Sequence, residues 1–252
     1  MRPDDGPWRG RAILFDLFGT VVHFATRVPA VQTASSQWRA AMQWLREAAQ
    51  RELPAVAFDE LLAALMRVTE QIVRERPPEY REVPSRERFR RALSHLGVPD
   101  ELAPAIAARL SLVHMAYLAS MTAVSPGCIE LLAELASHYR LGLISNFDHA
   151  QTAHGIVRAH GLAPYFSTVV ISEEFGRRKP HAAIFAAALQ ALDVGPAEAL
   201  FVGDNLGEDV AGAHNAQLAV AWLNAKNEAL PPDAPEPDYV IAELTDLRRL
   251  VR

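Results

Sequence analysis

Short apolar runs and longer amphipathic segments divide the chain into two kinds of structure. Runs of four or five apolar residues are typical of buried strands, whereas apolar residues recurring every three to four positions predict helices. The first apolar run covers residues 12–15, and a stretch from about residue 35 to residue 120 follows in which every pattern is helical. After residue 125, apolar runs and helical patterns alternate to the end of the chain.

This alternation predicts a parallel sheet, because consecutive parallel strands need a helical crossover between them. We therefore predict an α/β fold: a doubly wound, parallel, Rossmann-like sheet with an inserted α-helical cap domain. Residues 1–24 and 123–252 would form the sheet domain, and residues 25–122 the helical one. Residues 1–10 are polar and rich in Pro and Gly, which predicts a loose leader. Further strands are predicted at residues 141–144, 168–172, 199–202, 218–222 and 239–241.

Four helices are predicted in the inserted part, each from a residue that favours a helix start. They begin near Ser35, Asp59, Ser85 and Asp100. Since no strand interrupts them, they are predicted to pack on one another rather than on the sheet.

Composition excludes several classes of protein. Half of the 252 residues are hydrophobic and the net charge is −5, which argues against a nucleic-acid partner. No apolar segment is long enough to span a bilayer, and no signal-peptide core precedes the first strand, so we expect a cytoplasmic protein with no membrane partner. The single cysteine, Cys128, excludes an internal disulfide and a cysteine-built metal site. Oligomeric state is left open by these features.

Polar residues follow three of the predicted strands. Asp16 ends the first, Ser145 and Asn146 follow the strand at 141–144, and Asp204 follows the strand at 199–202, with Asp209 shortly after it. Parallel strands bring these ends to one edge of the sheet, where such folds bind ligands. Carboxylates that converge there repel one another unless a cation lies among them, and hard oxygen ligands favour Mg²⁺.

Lys179 is a further candidate for the functional site. It is one of only two lysines, Lys179 and Lys226, and it directly precedes Pro180. Pro180 is predicted to occupy the first position of a helix, which would direct Lys179 toward the same edge of the sheet.

These motifs, in their order along the chain, resemble the haloacid dehalogenase superfamily. The matching segments are Phe15-Asp16-Leu17-Phe18-Gly19-Thr20, Ile144-Ser145-Asn146, Arg178-Lys179-Pro180 and Val202-Gly203-Asp204-Asn205 with Asp209. The inserted helical part is similar to the C1-type helical cap of that superfamily.

The resemblance implies a role for each motif. Asp16 would be the nucleophile that forms a covalent intermediate, Ser145 would hydrogen-bond the phosphoryl group, and Lys179 would neutralise charge. The substrate, a small and phosphorylated molecule, would also contact Asn146, Thr20 and Arg39, although an exposed helix arginine is the alternative for Arg39. The implied Mg²⁺ ligands are Asp16, the backbone carbonyl of Phe18, Asp204 and Asp209.

Phe18 departs from the family pattern. Most phosphatases of the family carry a second Asp at this position, which protonates the leaving group and then activates water; general acid–base help of this kind contributes about 10²–10⁴-fold. Dehalogenases of the family carry an aromatic residue there and need no metal. Phe18 therefore favours dehalogenation, whereas the intact pair of Asp204 and Asp209 favours Mg²⁺. The leading prediction is a Mg²⁺-dependent phosphatase, with a metal-independent 2-haloacid dehalogenase and a catalytically weak binding or regulatory protein as alternatives.

Several nearby polar residues are given secondary roles. Asn205 is predicted to hydrogen-bond a metal ligand. Glu208 is predicted either to approach the metal through water or only to interact with the dipole of its helix. Glu173 and Glu174 are predicted to lie in a solvated turn. The histidines that follow Ser145 lack the spacing of a metal pair and are predicted to be surface or packing residues: His149, His154 and His160.

Overall fold

The computed structural model describes residues 8–24 and 34–251, without the side chains of residues 34–42. Within these residues, six strands form one fully parallel sheet, in the order Thr168–Ile171, Arg140–Ser145, Ala12–Phe15, Ala199–Gly203, Ala219–Leu223 and Tyr239–Ile241. The predicted fold class is thereby confirmed. The strands of this sheet are β1 (Ala12–Phe15), β4 (Arg140–Ser145), β5 (Thr168–Ile171), β6 (Ala199–Gly203), β7 (Ala219–Leu223) and β8 (Tyr239–Ile241).

Helices cover the crossovers between these strands. The helices after the first strand are α1 (Ala34–Glu52), α2 (Phe58–Glu75), α3 (Ser85–His95) and α4 (Ala103–Ser120). The helices of the alternating part are α5 (Cys128–Ala136), α6 (Ala150–Ala159), α7 (Ser172–Phe175), α8 (Ala182–Leu192), α9 (Ala211–Asn215) and α10 (Leu247–Leu250).

Strand β1 lies at the centre of the sheet, between β4 and β6. Its alternate residues pack into two cores on opposite faces, with Ile13 and Phe15 in one and Ala12 and Leu14 in the other. Both faces are covered, and this explains why β1 is an uninterrupted apolar run. In register, Phe15 pairs with a residue of each neighbouring strand, so all three strands end at one edge.

Helices α1–α4, residues 34–120, are called here the four-helix segment. They share a hydrophobic core of their own, to which Phe58, Leu61, Phe89 and Leu110 contribute. The segment is joined to the sheet through a two-stranded antiparallel ribbon of β2 (Val22–Phe24) and β3 (Thr122–Val124). The division into domains at residues 24 and 122 stays a prediction.

The structure corrects the sequence interpretation at several element ends. Residue 8 is not part of a loose leader, because Trp8 is buried against Tyr139 and its N–H donates to the Leu250 carbonyl at 2.7 Å. Strand β3 was not predicted, and α4 begins at Ala103 rather than near residue 100.

The described helices include none that is both long and apolar enough to cross a bilayer. Cys128 is a free cysteine, buried among the apolar residues of one core.

Candidate active site

Asp16 lies at the carboxyl end of β1, in the middle of the sheet edge. Its backbone N–H donates to the Val202 carbonyl at 2.8 Å, which continues the β1–β6 pairing by one residue. The side chain is almost fully buried, 8 % exposed. A buried carboxylate needs a compensating positive charge.

Lys179 supplies part of that charge. Its ammonium lies 2.5 Å from Asp16 Oδ1, 2.7 Å from Asp209 Oδ1 and 3.2 Å from the Ile144 carbonyl. Only 1 % of the lysine side chain is exposed. The four groups therefore fix one another, and the lysine directly bridges two of the predicted metal ligands.

Lys179 reaches this position by a different local structure from the one predicted. Helix α8 begins at Ala182, with His181 as its N-cap, so Pro180 precedes the helix instead of occupying its first position. The cap is made by His181 Nδ1, which accepts the Ala183 N–H at 3.1 Å.

Asp204 and Asp209 are held by the turn after β6. Residues Leu206–Val210 form a single π-helical turn, and Asn205 Oδ1 caps it by accepting the N–H groups of Gly207 and Glu208 at 2.9 and 2.8 Å. The Asn205 backbone N–H donates to Asp209 Oδ2 at 2.9 Å. Asn205 thus supports a predicted metal ligand, but through its backbone and not through its side chain.

The three acids form a compact oxygen cluster. Asp16, Asp204 and Asp209 each offer one carboxylate oxygen, and these oxygens lie within 4.8 Å of one another. Two glycines make this approach possible. A Cβ on Gly19, whose φ is +94°, would lie 2.2 Å from Asp204 Oδ2, and a Cβ on Gly203 would lie 2.4 Å from Asp209 Oδ2. Any side chain at Gly19 or Gly203 would therefore fill the cluster.

The electrostatics of the cluster call for a further cation. Burial raises the pKa of Asp16 to about 8, against the lowering effect of Lys179, and the charge of Asp209 raises it further. Loss of hydration and the charge of Asp209 raise the pKa of Asp204 to about 6, although Asp204 itself is exposed at the rim. Burial lowers the pKa of Lys179, but Asp16 and Asp209 together raise it by more, so it stays protonated.

The donor set fits a hard divalent cation. With all three acids ionised and Lys179 protonated, the cluster carries two net negative charges, which one divalent ion would neutralise. Carboxylate oxygens are the ligands that Mg²⁺ prefers, and an ion at this position would bring the pKa of Asp16 down. Phe18 is the residue before Gly19, and its backbone carbonyl stays a predicted ligand.

Two buried hydroxyl groups at the site have no hydrogen-bond partner among the described residues: Ser145 Oγ and Thr20 Oγ1. Ser145 is the last residue of β4, and Thr20 lies in the turn after β1, where its carbonyl accepts the Ser125 hydroxyl at 2.8 Å. Buried polar groups are nearly always satisfied, so these two hydroxyls at the Asp16 end of the sheet are free to accept an exogenous partner.

Asn146 is occupied by the protein itself. Its Oδ1 accepts the Lys179 backbone N–H at 2.8 Å, and its Nδ2 donates to the Lys179 carbonyl at 3.0 Å and also to Glu208. These bonds hold the backbone that carries the buried ammonium. The structure therefore favours a positioning role for Asn146 over the direct substrate contact predicted for it.

An aromatic stack covers the position that Phe18 occupies. The Phe18 ring stacks on the rings of Phe147 and Phe24, with centroid separations of 4.8 and 5.4 Å, and is nearly parallel to the Phe24 ring, at an interplanar angle of 5°. Phe24 is 46 % exposed, so the stack opens to solvent. No carboxylic acid occupies position 18, and the wall that would face a leaving group there is apolar.

The other polar residues considered from the sequence either contact other residues of the protein or have side chains outside the described part of the chain. Arg39 falls on α1, among the residues whose side chains are not described. Glu173 does not lie in a solvated turn: it is on α7, 14 % exposed, and accepts the Ala150 N–H at 2.6 Å. Glu208 pairs with Arg178 at 2.9 Å instead of only facing its helix dipole.

The three histidines have structural partners too, in keeping with the prediction. His149 caps α6 through Thr152, His154 lies 2.9 Å from Glu174, and the ring of His160 hydrogen-bonds Thr122.

Sequence reasoning missed residues that act through distant contacts. Trp222 Nε1 donates to the Asp204 carbonyl at 2.9 Å and fixes the backbone of that acid. Arg178 joins Glu208 to Glu82, a residue of the loop between α2 and α3 whose side chain is 2% exposed. Of these residues, only Arg178 could have been singled out from the sequence, because it stands beside Lys179 in the motif.

Comparison with known proteins identifies the family of this arrangement. Residues 11–217 match the profile described as haloacid dehalogenase-like hydrolase. Two curated relatives are pyrimidine 5'-nucleotidase YjjG from Escherichia coli, 36% identical over 127 residues (50% of this chain, 56% of that protein), and phosphoserine phosphatase from Thermus thermophilus, 35% identical over 168 residues (65% of this chain, 64% of that protein). The chain spans about half the length of most curated relatives it matches.

A solved structure matches nearly the whole chain. The 2-haloacid dehalogenase from Pseudomonas syringae pv. Tomato DC3000 superposes with a TM-score of 0.71 at 27% identity, covering 95% of this chain and 97% of that one. Phosphatase and dehalogenase names therefore both occur among the similar proteins.

Proposed function

The chain belongs to the haloacid dehalogenase-like hydrolase family, and we propose that it is a Mg²⁺-dependent phosphatase acting on a small phosphorylated metabolite through an aspartyl-phosphate on Asp16. The observation that carries this proposal is the cluster of Asp16, Asp204 and Asp209, with ligand oxygens within 4.8 Å of one another. With its three acids ionised, the cluster carries two net negative charges, and a divalent cation would neutralise them before an anionic substrate approaches. The phosphatase names of curated relatives agree with it.

The metal would be held by Asp16, Asp204, Asp209 and the backbone carbonyl of Phe18. Bound Mg²⁺ would act as a Lewis acid that neutralises charge on a phosphoryl oxygen. Trp222 and Asn205 contribute by fixing Asp204 and Asp209 before the ion arrives. A pre-formed ligand set reduces the reorganisation that binding would otherwise need.

Asp16 performs the covalent step. Its carboxylate oxygen attacks phosphorus, and the bond to the leaving oxygen breaks with its electron pair. Water then hydrolyses the acyl phosphate, which releases inorganic phosphate and restores the carboxylate. Lys179, bonded to Asp16 and Asp209, holds the nucleophile in place and offsets the charge that accumulates as two anions meet.

Ser145 and Thr20 bind the transferring group in this proposal. Their hydroxyls are buried and have no hydrogen-bond partner among the described residues. Ser145 ends β4, which pairs with β1 directly before Asp16, and Thr20 lies in the turn after β1. Donation to phosphoryl oxygens would satisfy both groups. Such hydrogen bonds to an anion contribute about 1.5–3 kcal/mol each.

Phe18 limits the choice of leaving group. A phenylalanine side chain has no ionisable proton to give a departing oxygen, and the ring of Phe18 stacks on Phe147 and Phe24. Aryl and acyl oxygens leave as stable anions and need no such donor, whereas alkoxides do. We therefore expect aryl and acyl phosphates to be better substrates than alkyl phosphates.

Replacing Phe18 with Asp should raise kcat for alkyl phosphates by up to about 10²-fold, since general acid catalysis contributes at least that much elsewhere. The rate on an aryl phosphate should change little. Steady-state phosphate release from matched alkyl and aryl esters measures both.

Phe18→Asn is the matched control, because Asn has the size and polarity of Asp but no acidic proton for general acid catalysis. It should give no gain on alkyl phosphates. Equal rates for the Asp and Asn variants would show that Phe18 is not simply a missing acid.

A second candidate is halide displacement from a 2-haloacid, again with Asp16 as the nucleophile on carbon. The aromatic residue at position 18 favours it, and so does the match over 95% of the chain to a protein named 2-haloacid dehalogenase. Halide displacement needs no metal ion, so it does not explain why Asp204 lies close to Asp16 and Asp209. For this reason phosphoryl transfer is preferred.

The proposal also assigns residues 25–122 to a cap domain. The β2–β3 ribbon joins the four-helix segment to the sheet beside the nucleophile, so movement there would open and close the site. Closure over substrate would exclude water from the covalent step.

Phosphate and halide release separate the two candidate reactions. Purified protein should release phosphate from an aryl phosphate with Mg²⁺ present, and EDTA should abolish the reaction. Halide release from 2-chloropropionate that persists in EDTA would overturn the phosphatase proposal in favour of the dehalogenase.

A further inference from the structure

Two ion pairs join the same two segments of the chain at the candidate site. Lys179 lies 2.7 Å from Asp209. Arg178, the residue before this lysine, lies 2.9 Å from Glu208, the residue before this aspartate. The Arg178 side chain is 11 % exposed, so its pairing is less screened by water and salt than that of a surface arginine. The segments that carry Lys179 and Asp209 are therefore joined a second time, one residue further along each segment.

Glu82, in the loop between α2 and α3, binds the same guanidinium from the four-helix segment. Nη1 of Arg178 donates to both carboxylate oxygens of Glu82 at 3.2 Å, while Nη2 donates to Glu208. The Glu82 side chain is only 2 % exposed. A carboxylate is costly to bury unless it is paired, and this pair joins the four-helix segment to the residues around the sheet.

Ser172 holds one oxygen of the same carboxylate. Its hydroxyl donates to Glu82 at 2.5 Å and accepts the Phe147 backbone N–H at 2.9 Å. The Phe147 ring in turn stacks on Phe18, with a centroid separation of 4.8 Å. Through one serine, Glu82 is thus also linked to the aromatic stack at position 18.

The backbone at Lys179 is held from the four-helix segment and from the sheet. The Arg178 N–H donates to the carbonyl of Tyr80, in the loop that carries Glu82, at 2.9 Å. The Lys179 N–H and carbonyl are both bonded by the side chain of Asn146, after β4. The placement of the buried ammonium therefore depends on contacts from both parts of the chain.

We propose that Glu82 is a positioning residue, which binds Arg178 from the four-helix segment and thereby holds Lys179 and Asp209 in place around Asp16. This inference rests on the proposed phosphatase function, in which Lys179 offsets the charge of the reacting groups. The effect of Glu82 passes through Arg178 and not through contact with the reacting atoms. The site is then complete only while the loop between α2 and α3 contacts the residues around the sheet.

Glu82→Gln should lower kcat for aryl phosphate hydrolysis about 10-fold and change KM by less than about 2-fold, because it removes the charge that holds Arg178 but keeps the size of the side chain. Glu82→Asp, which keeps the charge, should recover part of the lost kcat. Steady-state kinetics below the thermal midpoint of every variant measures both parameters. An unchanged kcat, or a loss confined to KM, would overturn the inference.

Glu79→Gln is the matched control in the same loop. Glu79 lies 2.8 Å from Arg177, and its side chain is 53 % exposed. This pair also connects the loop to the chain segment before Lys179, but it is open to solvent and should contribute little. Glu79→Gln should therefore keep the kcat of wild type. Equal losses for the Glu79 and Glu82 variants would show that loop docking alone matters, and would overturn the inference.

A double-mutant cycle with Arg178→Met tests the route from Glu82 to the site. If Glu82 acts through Arg178, the double variant should lose no more kcat than Arg178→Met alone, because the interaction is already absent. Losses that add in full would show that the two residues act separately, and would contradict the proposed route.

Isotopic labelling of lysine nitrogen reports the placement of Lys179 without turnover. The chain has only two lysines, so two lysine backbone amides appear in the nuclear magnetic resonance spectrum. The Lys179 N–H is held by Asn146, whereas Lys226, with a side chain 85 % exposed, serves as the internal reference. Glu82→Gln should speed hydrogen exchange at Lys179 about 10-fold and leave Lys226 unchanged. Exchange at Lys179 as slow as in wild type would overturn the inference.

The exchange measurement also keeps the two proposals separable. Faster exchange at Lys179 in Glu82→Gln, in a protein that hydrolyses no phosphate ester, would overturn the phosphatase proposal while supporting the link from Glu82 to Lys179. Hydrolysis of aryl phosphate by Glu82→Gln at the wild-type rate would do the reverse.

Discussion

Asp16→Asn is expected to lower kcat for aryl phosphate hydrolysis on the order of 10⁴-fold or more, because it removes the nucleophile while keeping its shape. The Asp16 side chain is buried in the cluster with Lys179 and Asp209. We expect no other carboxylate of the described residues to replace it as the nucleophile. Phosphate release under saturating Mg²⁺ measures the loss. Asp193→Asn, at an acid whose side chain is 93% exposed, is the control and should retain full activity.

The same variant should be more stable than wild type when metal is removed. The pKa of Asp16 rises from 3.8 to about 8 in the fold. Stability that is fully present below about pH 4 is therefore lost as the pH rises through about 8, where the buried carboxyl must ionise. In EDTA, the thermal midpoint of Asp16→Asn should exceed that of wild type by more at pH 8 than at pH 5. A decrease at pH 8 would contradict this electrostatic description.

Lys179→Met is expected to cost about 10²–10³-fold in kcat, comparable with the loss of a pre-organised charge stabiliser elsewhere. It should also destabilise the metal-free protein by about 3 kcal/mol or more, because removing one partner of a buried ion pair leaves the others uncompensated. Added Mg²⁺ should restore part of the lost stability. Denaturant unfolding with and without Mg²⁺, alongside steady-state kinetics, measures both effects.

The chain offers a matched control in its other lysine, Lys226, whose side chain is 85% exposed and lies 3.8 Å from Glu228. Lys226→Met should change neither kcat nor unfolding free energy appreciably. If Lys179→Met kept wild-type kcat, the ammonium would have no part in transferring the phosphoryl group.

The sheet and the acid cluster were predictable because local patterns encode them. Strand β1 is buried on both faces and reads as an apolar run that stops at Asp16. Parallel topology then places the ends of β4 and β6 beside it without further information. The positions of Asp204 and Asp209 follow from the same rule.

Features that depend on distant partners were not predictable. Strand β3 is three residues long and exists because it pairs with β2, about a hundred residues earlier. Trp8 is buried only through contacts with residues near the opposite end of the chain and Tyr139. Such elements carry little periodicity of their own.

The role of Asn146 in the site was also not predictable, because it depends on a partner distant in the sequence. Its motif predicts a residue at the substrate, but the structure uses both ends of its amide to hold the backbone at Lys179. Partner choice among long side chains is decided by tertiary packing.

The covalent state of Asp16 during turnover tests the central claim most directly. Acid quenching of the reaction with an aryl phosphate, followed by peptide mass spectrometry, should find phosphate on the peptide that contains Asp16, and only when Mg²⁺ is present. The adduct should be absent from Asp16→Asn. An ester formed on Asp16 from a 2-haloacid in EDTA, with no phosphorylated peptide under any condition, would contradict the account.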